Sequence, residues 1–252
     1  MGNKYKIQMK NLFNKFVKEL YPRGYKCLLC KEELSTNTLY SMCDKCMPLL
    51  PFNNGKICVK CSEPIGGEGS YCIHCKNELP LYKKNISVFL YKSPIDKMIR
   101  NLKYDNKKYL SETLSNFIAS EVVKMDTNFD FVIPVPLYID RFIKRGYNQS
   151  ELLCETLKTK LNLNVDTEIL IKSRDTRSQA NLSRQERIDN LLNSFKVVDK
   201  NKIKGKTILL VDDVFTTGST INECTKTLLN AGAKEVYSIT LAHADTKIIE
   251  KH

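Results

Sequence analysis

Residues 207–220 read Thr-Ile-Leu-Leu-Val-Asp-Asp-Val-Phe-Thr-Thr-Gly-Ser-Thr. The aliphatic run 208–211 suits a strand buried on both faces, as parallel sheets require. Such a strand delivers Asp212 and Asp213 to its carboxyl edge, where open α/β sheets bind ligands. A turn rich in small hydroxylated residues follows, then a helix over 220–231. Gly218 lets the backbone approach a ligand closely. The amides of 216–220 and the hydroxyls of Thr216, Thr217, Ser219 and Thr220 can cradle a phosphate at the helix N-terminus. No lysine follows the glycine, so this is not a Walker loop. A plain strand end with a helix cap accounts for neither the adjacent carboxylates nor the hydroxyls.

The pattern upstream agrees. Strands are expected over 86–91, 131–135, 168–171 and 207–211, with a last one over 235–242. Helices are expected over 94–104, 109–123 and 149–161. Alternation of this kind predicts an α/β domain with a parallel sheet flanked by helices. A short amphipathic helix is expected over 10–21, docked on the cysteine-rich segment, with Pro22 and Gly24 ending it.

Eight of the ten cysteines fall in four Cys-x-x-Cys pairs: Cys27 with Cys30, Cys43 with Cys46, Cys58 with Cys61 and Cys72 with Cys75. The pairs are separated by 12, 11 and 10 residues. Two such knuckles close a tetrahedral Cys₄ zinc site, so one or two structural ions are expected. Sequential and cross-braced pairing both fit the spacing. His74 lies inside the last knuckle, but four thiolates already satisfy an ion. Closed all-cysteine sites are structural, and the metal supplies folding energy that a small core cannot. Cys154, Cys224 and His243 read as buried structural residues. The segments predicted are 1–26 (the N-terminal helix), 27–80 (the zinc module) and 81–252 (the α/β domain).

The chain has 252 residues, 42% hydrophobic and 27% charged, which is globular composition. No apolar run approaches a membrane span, and no export signal is present, so a cytoplasmic protein is expected. The net charge is +12. Two Zn²⁺ on eight thiolates lower it by four, to roughly +8, which still favours phosphate-bearing partners.

Residues 207–220 resemble the phosphoribosyl pyrophosphate (PRPP) signature of type I phosphoribosyltransferases: hydrophobic strand, acidic pair, Thr-Thr-Gly-x-Thr. The resemblance implies that Asp212 and Asp213 hold the ribose 2′- and 3′-hydroxyls, directly or with Mg²⁺. It implies that Thr216, Thr217, Gly218, Ser219 and Thr220 hold the 5′-phosphate. In an active transferase, Asp212 or Asp213 would stabilise an oxocarbenium-like transition state. A narrower resemblance covers most of the chain. The cysteine module, Val132-Ile133-Pro134-Val135-Pro136, Arg141, Arg145-Gly146-Tyr147-Asn148-Gln149-Ser150, and Arg174 through Thr176, Gln179 and Leu182 to Arg187 and Asn190 together resemble the ComF (competence protein F) family. That family is associated with uptake and processing of transforming DNA.

By position, 134–138 matches the pyrophosphate loop of related folds, although Pro136-Leu137-Tyr138 replaces the small residue or glycine found in several of them. Arg141 and Arg145 face one ligand if helical. The polar stretch 173–190, with Arg174 and Arg187, matches a closing loop that would bring cations to a leaving pyrophosphate. Implied partners are PRPP or a nucleotide, single-stranded DNA and DNA-uptake proteins. The alternative is an active phosphoribosyltransferase, of the amidophosphoribosyltransferase or nucleobase-salvage kind, releasing pyrophosphate. A zinc-mediated interaction module is a third reading. Within the zinc region Phe52 and Tyr71 are the candidate base-stacking residues.

Overall fold

A computed structural model describes residues 26–34, 38–174 and 193–244. The chain divides into two compact units, Met1–Leu49 and Leu50–His252. The expected helix over 10–21 and the arginine at position 187 lie outside the described residues.

In the smaller unit, the described residues form one zinc-ribbon half. The Cys27 amide donates to Glu32 O (2.7 Å) and the Lys31 amide to Cys27 O (3.0 Å). Lys31 takes the left-handed conformation, φ 66°. The larger unit repeats this knuckle: Cys58 N donates to Glu63 O (2.7 Å), Ser62 N donates to Cys58 O (2.9 Å), and Ser62 has φ 65°. The sequence shows only the recurring cysteines; the repeat extends to backbone conformation.

The larger unit is an α/β domain. Its elements are α1 (Ile73–Asn77), β1 (Asn85–Leu90), α2 (Ile95–Tyr104), α3 (Leu110–Val123), β2 (Phe131–Pro134), α4 (Ile139–Arg145) and α5 (Gln149–Lys160). There follow β3 (Leu170–Lys172), β4 (Phe195–Val197), α6 (Lys200–Ile203), β5 (Thr207–Phe215), α7 (Ser219–Asn230) and β6 (Glu235–His243). Four strands form a parallel sheet in the order β1-β6-β5-β2. Residues 208–211 of β5 are fully buried, as a central strand covered on both faces demands.

Two expectations about strands are corrected. The strand expected over 168–171 is β3, and it pairs antiparallel with β4 in a separate ribbon instead of joining the parallel sheet. β4 follows the polar stretch and carries too short an alternation to be read in advance. The strand expected to end at 211 runs on to Phe215, because Asp212, Val214 and Phe215 keep register with Thr240, Ala242 and His243 of β6.

The second cysteine cluster belongs to the same core as the sheet. Cys58, Cys61, Cys72 and Cys75 pack in one buried cluster with Tyr82, Ile208, Leu210 and Phe215. Buried Asn85 fixes this junction: its Nδ2 donates to Cys61 O (3.1 Å), and its Oδ1 accepts from Ser238 Oγ (2.9 Å). Phe52 packs elsewhere, with ring centroids 5.0 Å from Phe89 and 6.0 Å from Phe117. These contacts hold the half-buried Phe52 ring in place. No helix among the described residues is long and apolar enough to cross a membrane.

Candidate ligand site at the carboxyl edge of the sheet

The parallel strands β2, β5 and β6 end on the same side, and the site is built there. Asp212 Oδ1 accepts from Ser150 Oγ (3.0 Å) and from the Asp213 amide (2.9 Å). Asp213 is buried; its Oδ1 lies 2.8 Å from Lys103 Nζ on α2. Its Oδ2 is buried with no hydrogen-bond partner among the described residues, an acceptor in want of a donor. Burial and the neighbouring Asp213 carboxylate push the Asp212 pKa up to about 7, against the pull of Lys103 and Ser150. Burial works against the Lys103 ammonium, yet Asp213 and Asp212 outweigh it and hold its pKa above the ordinary lysine value.

The predicted phosphate loop follows directly. Gly218 has φ 76° and caps α7. Thr217 Oγ1 and Ser219 Oγ are 2.7 Å apart, and the Ser219 amide donates to Thr217 Oγ1 (3.4 Å). A β-carbon at Gly218 would stand 2.4 Å from the Phe215 ring. That ring cannot easily yield, because it stacks on His243 (5.1 Å) and meets Tyr82 edge-on (6.3 Å). Gly218→Ala is therefore expected to cost about 2 kcal/mol of stability and to weaken phosphate-ligand binding about tenfold or more. Denaturation and calorimetry of the variant check both, and an unchanged affinity would mean that the loop does not hold the ligand.

A cavity of about 360 Å³ opens above these residues, lined by Asp212, Asp213, Thr216, Thr220, Lys103 and Arg141 among others. Pro136 and Leu137, from the expected pyrophosphate loop, also line it, as do Lys172 and Phe195 at the facing ends of β3 and β4. A second cavity of about 680 Å³ is lined by Lys103, Lys108, Arg141, Lys144 and Arg145 with Tyr104, Asn106, Gly146 and Tyr147. Lys103, Tyr104 and Arg141 line both cavities. Arg141 and Arg145 thus do sit on one helix, α4, beside one basic cavity. Arg174 is exposed just beyond β3 and does not line either.

The sequence Arg145-Gly146-Tyr147-Asn148-Gln149-Ser150 explains itself in this setting. Gly146 ends α4 in the left-handed conformation, φ 76°. Asn148 caps α5, accepting from the Ser150 amide (3.0 Å) while its Nδ2 donates to Val135 O (3.0 Å). The Tyr147 hydroxyl donates to Leu102 O, next to Lys103. Ser150 is thereby aimed at Asp212. Lys103 and Ser150 were missed as site residues from sequence. A signal existed for the lysine: it sits four and eight residues on from Ile99 and Ile95, both fully buried, where a solvated lysine does not belong.

The cysteines divide sequentially. Cys27, Cys30, Cys43 and Cys46 bring their sulfurs within 4.8 Å of one another, and so do Cys58, Cys61, Cys72 and Cys75. The Cys30–Cys43 and Cys61–Cys72 sulfur separations are both 3.6 Å, close to the roughly 3.8 Å edge of a ZnS₄ tetrahedron. Both sets fit structural zinc, and neither leaves an open position. His74 is outside both sets.

Sheet, loop and cysteine clusters define a phosphoribosyltransferase-fold domain carried with a double zinc ribbon. The family described as Phosphoribosyl transferase domain matches residues 150–252, and that described as Double zinc ribbon domain matches residues 16–76. "Competence protein F" of Haemophilus influenzae is 31% identical over 94% of this chain and 100% of its own length. "Competence protein ComFC" of Streptococcus pneumoniae is 31% identical, covering 86% of this chain and 99% of its own. "DNA utilization protein YhgH" of Escherichia coli is 31% identical, covering 83% and 93%. The chain belongs to the competence protein F family.

Proposed function

We propose that the protein binds PRPP, or a nucleotide, at the carboxyl edge of its sheet and acts in the uptake and processing of DNA. The observation that carries this is the meeting of Asp212, Asp213, Thr216 and Thr220 at one cavity, with an unpartnered buried acceptor on Asp213. Asp213 Oδ2 and Asp212 suit ribose hydroxyl donors, and the 216–220 loop suits a 5′-phosphate. Mg²⁺ would come with the pyrophosphate, which it neutralises. The printed names of the relatives, competence and DNA-utilization proteins, support the DNA role. The adjoining cavity, with Lys108, Arg141, Lys144 and Arg145 beside exposed Tyr104 and no carboxylate among its described lining residues, is the surface we assign to a single strand.

Calorimetry with PRPP on the zinc-loaded chain tests the first half: wild type should bind and Asp213→Asn should lose about tenfold or more in affinity. Equal binding by both proteins would remove the site. Anisotropy with a fluorescent oligonucleotide tests the second. Affinity should fall steeply with salt, and Arg141→Ala with Lys144→Ala should flatten that dependence by about two contacts. Turnover with pyrophosphate release remains the alternative, and nothing in the cavity specifies an acceptor base.

A further inference from the structure

Given that phosphoribosyl reading, we infer that Lys103 is the resident cation of the acidic pair, so that the ribose end of the ligand is held without a divalent ion. Mg²⁺ at a carboxylate demands an oxygen at about 2.0–2.1 Å and near-octahedral surroundings. One oxygen of each carboxylate is already engaged. Lys103 Nζ sits 2.8 Å from Asp213 Oδ1. Asp212 Oδ1 already accepts from Ser150 and from the Asp213 amide. A dication bridging the two carboxylates would stand close to the Lys103 ammonium, which repels it.

Charge points the same way. Lys103 offsets the charge of Asp213, and burial beside Asp213 disfavours the charged form of Asp212. With the ammonium in place, the site carries at least one negative charge less than two free carboxylates would offer a dication. What is left is a hydrogen-bond acceptor, Asp213 Oδ2, with no protein donor among the described residues. A sugar hydroxyl satisfies it directly. Lys103 is built for this place: it leaves the last turn of α2, whose Ile95, Ile99 and Leu102 are fully buried, and the neighbouring carbonyl of Leu102 is tied down by the Tyr147 hydroxyl. Since Lys103 also lines the basic cavity, it joins the ribose end to the anionic part of the ligand.

Ribose 5-phosphate separates this from the metal needs of pyrophosphate, because it has none. Titrate it calorimetrically into the zinc-loaded full chain after dialysis against Mg²⁺-free buffer without chelator, then again with MgCl₂. Wild-type affinity is expected to agree within about threefold between the two buffers. Lys103→Gln should bind about tenfold or more weakly without Mg²⁺ and recover when the ion is added, the dication filling the place of the ammonium. A rise of about tenfold or more for wild type on adding Mg²⁺ would overturn the inference while leaving the phosphoribosyl reading standing. So would Mg²⁺-free binding by Lys103→Gln equal to wild type. If the variant fails to fold, the wild-type comparison decides alone. If neither ribose 5-phosphate nor PRPP binds wild type in either buffer, the phosphoribosyl reading falls and takes the inference with it.

Discussion

Replacing Asp212 by Asn is expected to make the ligand-free protein more stable at pH 8 while weakening ligand binding. The Asp212 carboxyl is pushed from the ordinary aspartate range near 4 to about 7, first by burial and then by Asp213. The folded state therefore holds a proton that the unfolded chain releases. As pH rises from about 4 through 7, the native state must give up that proton in an unfavourable place, so its stability falls. The full shift sets a ceiling of about 4 kcal/mol, and the partial exposure of the side chain reduces the expected gain from Asn to on the order of 2 kcal/mol. Asn keeps the acceptor for Ser150 and the Asp213 amide. Urea denaturation of wild type and variant across pH 4 to pH 8 should show the gap opening from about pH 4, widening through about pH 7 and levelling off above it. A variant no more stable than wild type at pH 8 would show that Asp212 ionises without penalty. Asp213→Asn should go the other way, because it leaves Lys103 without its charge partner. Neighbouring acids with opposite effects would mark one carboxylate held by an ion pair and the other buried without one.

The second large effect concerns the cysteines. Cys75→Ser is expected to unfold or severely destabilise the sheet domain and abolish ligand binding, whereas Cys46→Ser should spare binding. Cys58, Cys61, Cys72 and Cys75 pack in the same buried cluster as Tyr82 and Phe215, and Phe215 supports the glycine of the phosphate loop. Cys46 belongs to the other compact unit. Structural zinc contributes about 10–16 kcal/mol to small domains, comparable to the whole stability of a domain at about 5–15 kcal/mol. Zinc content by metal analysis should fall from about two to about one per chain in both variants. Thermal unfolding and PRPP calorimetry then separate them. Ligand binding preserved in Cys75→Ser would mean that the second ribbon is an appendage to the sheet and not part of its core.

Much of this protein is written locally. Strand and helix periods place β1, β2, β5, β6 and α2, α3, α5 within a few residues, because burial on one face or on two imposes a short repeat. The four knuckles announce closed metal sites, since two thiolates two residues apart have little else to do together. The acidic pair and hydroxyl-rich turn announce a phosphate site, because strand, turn and helix are consecutive and the chemistry needs no distant partner. What the chain does not show is which segments meet. The change in composition near residue 80 marks where the cysteines end, whereas the compact units part at Leu49 and Leu50. The second ribbon joins the sheet through Asn85 and Tyr82, contacts that span up to some 150 residues. β3 and β4 find each other across a long polar stretch, and three residues each are too few for a pattern. Lys103 and Ser150 become site residues only when α2 and α5 set them beside Asp213 and Asp212. Local periodicity reports which face of an element is buried; it carries no record of what that face is buried against, and long-range packing settles that.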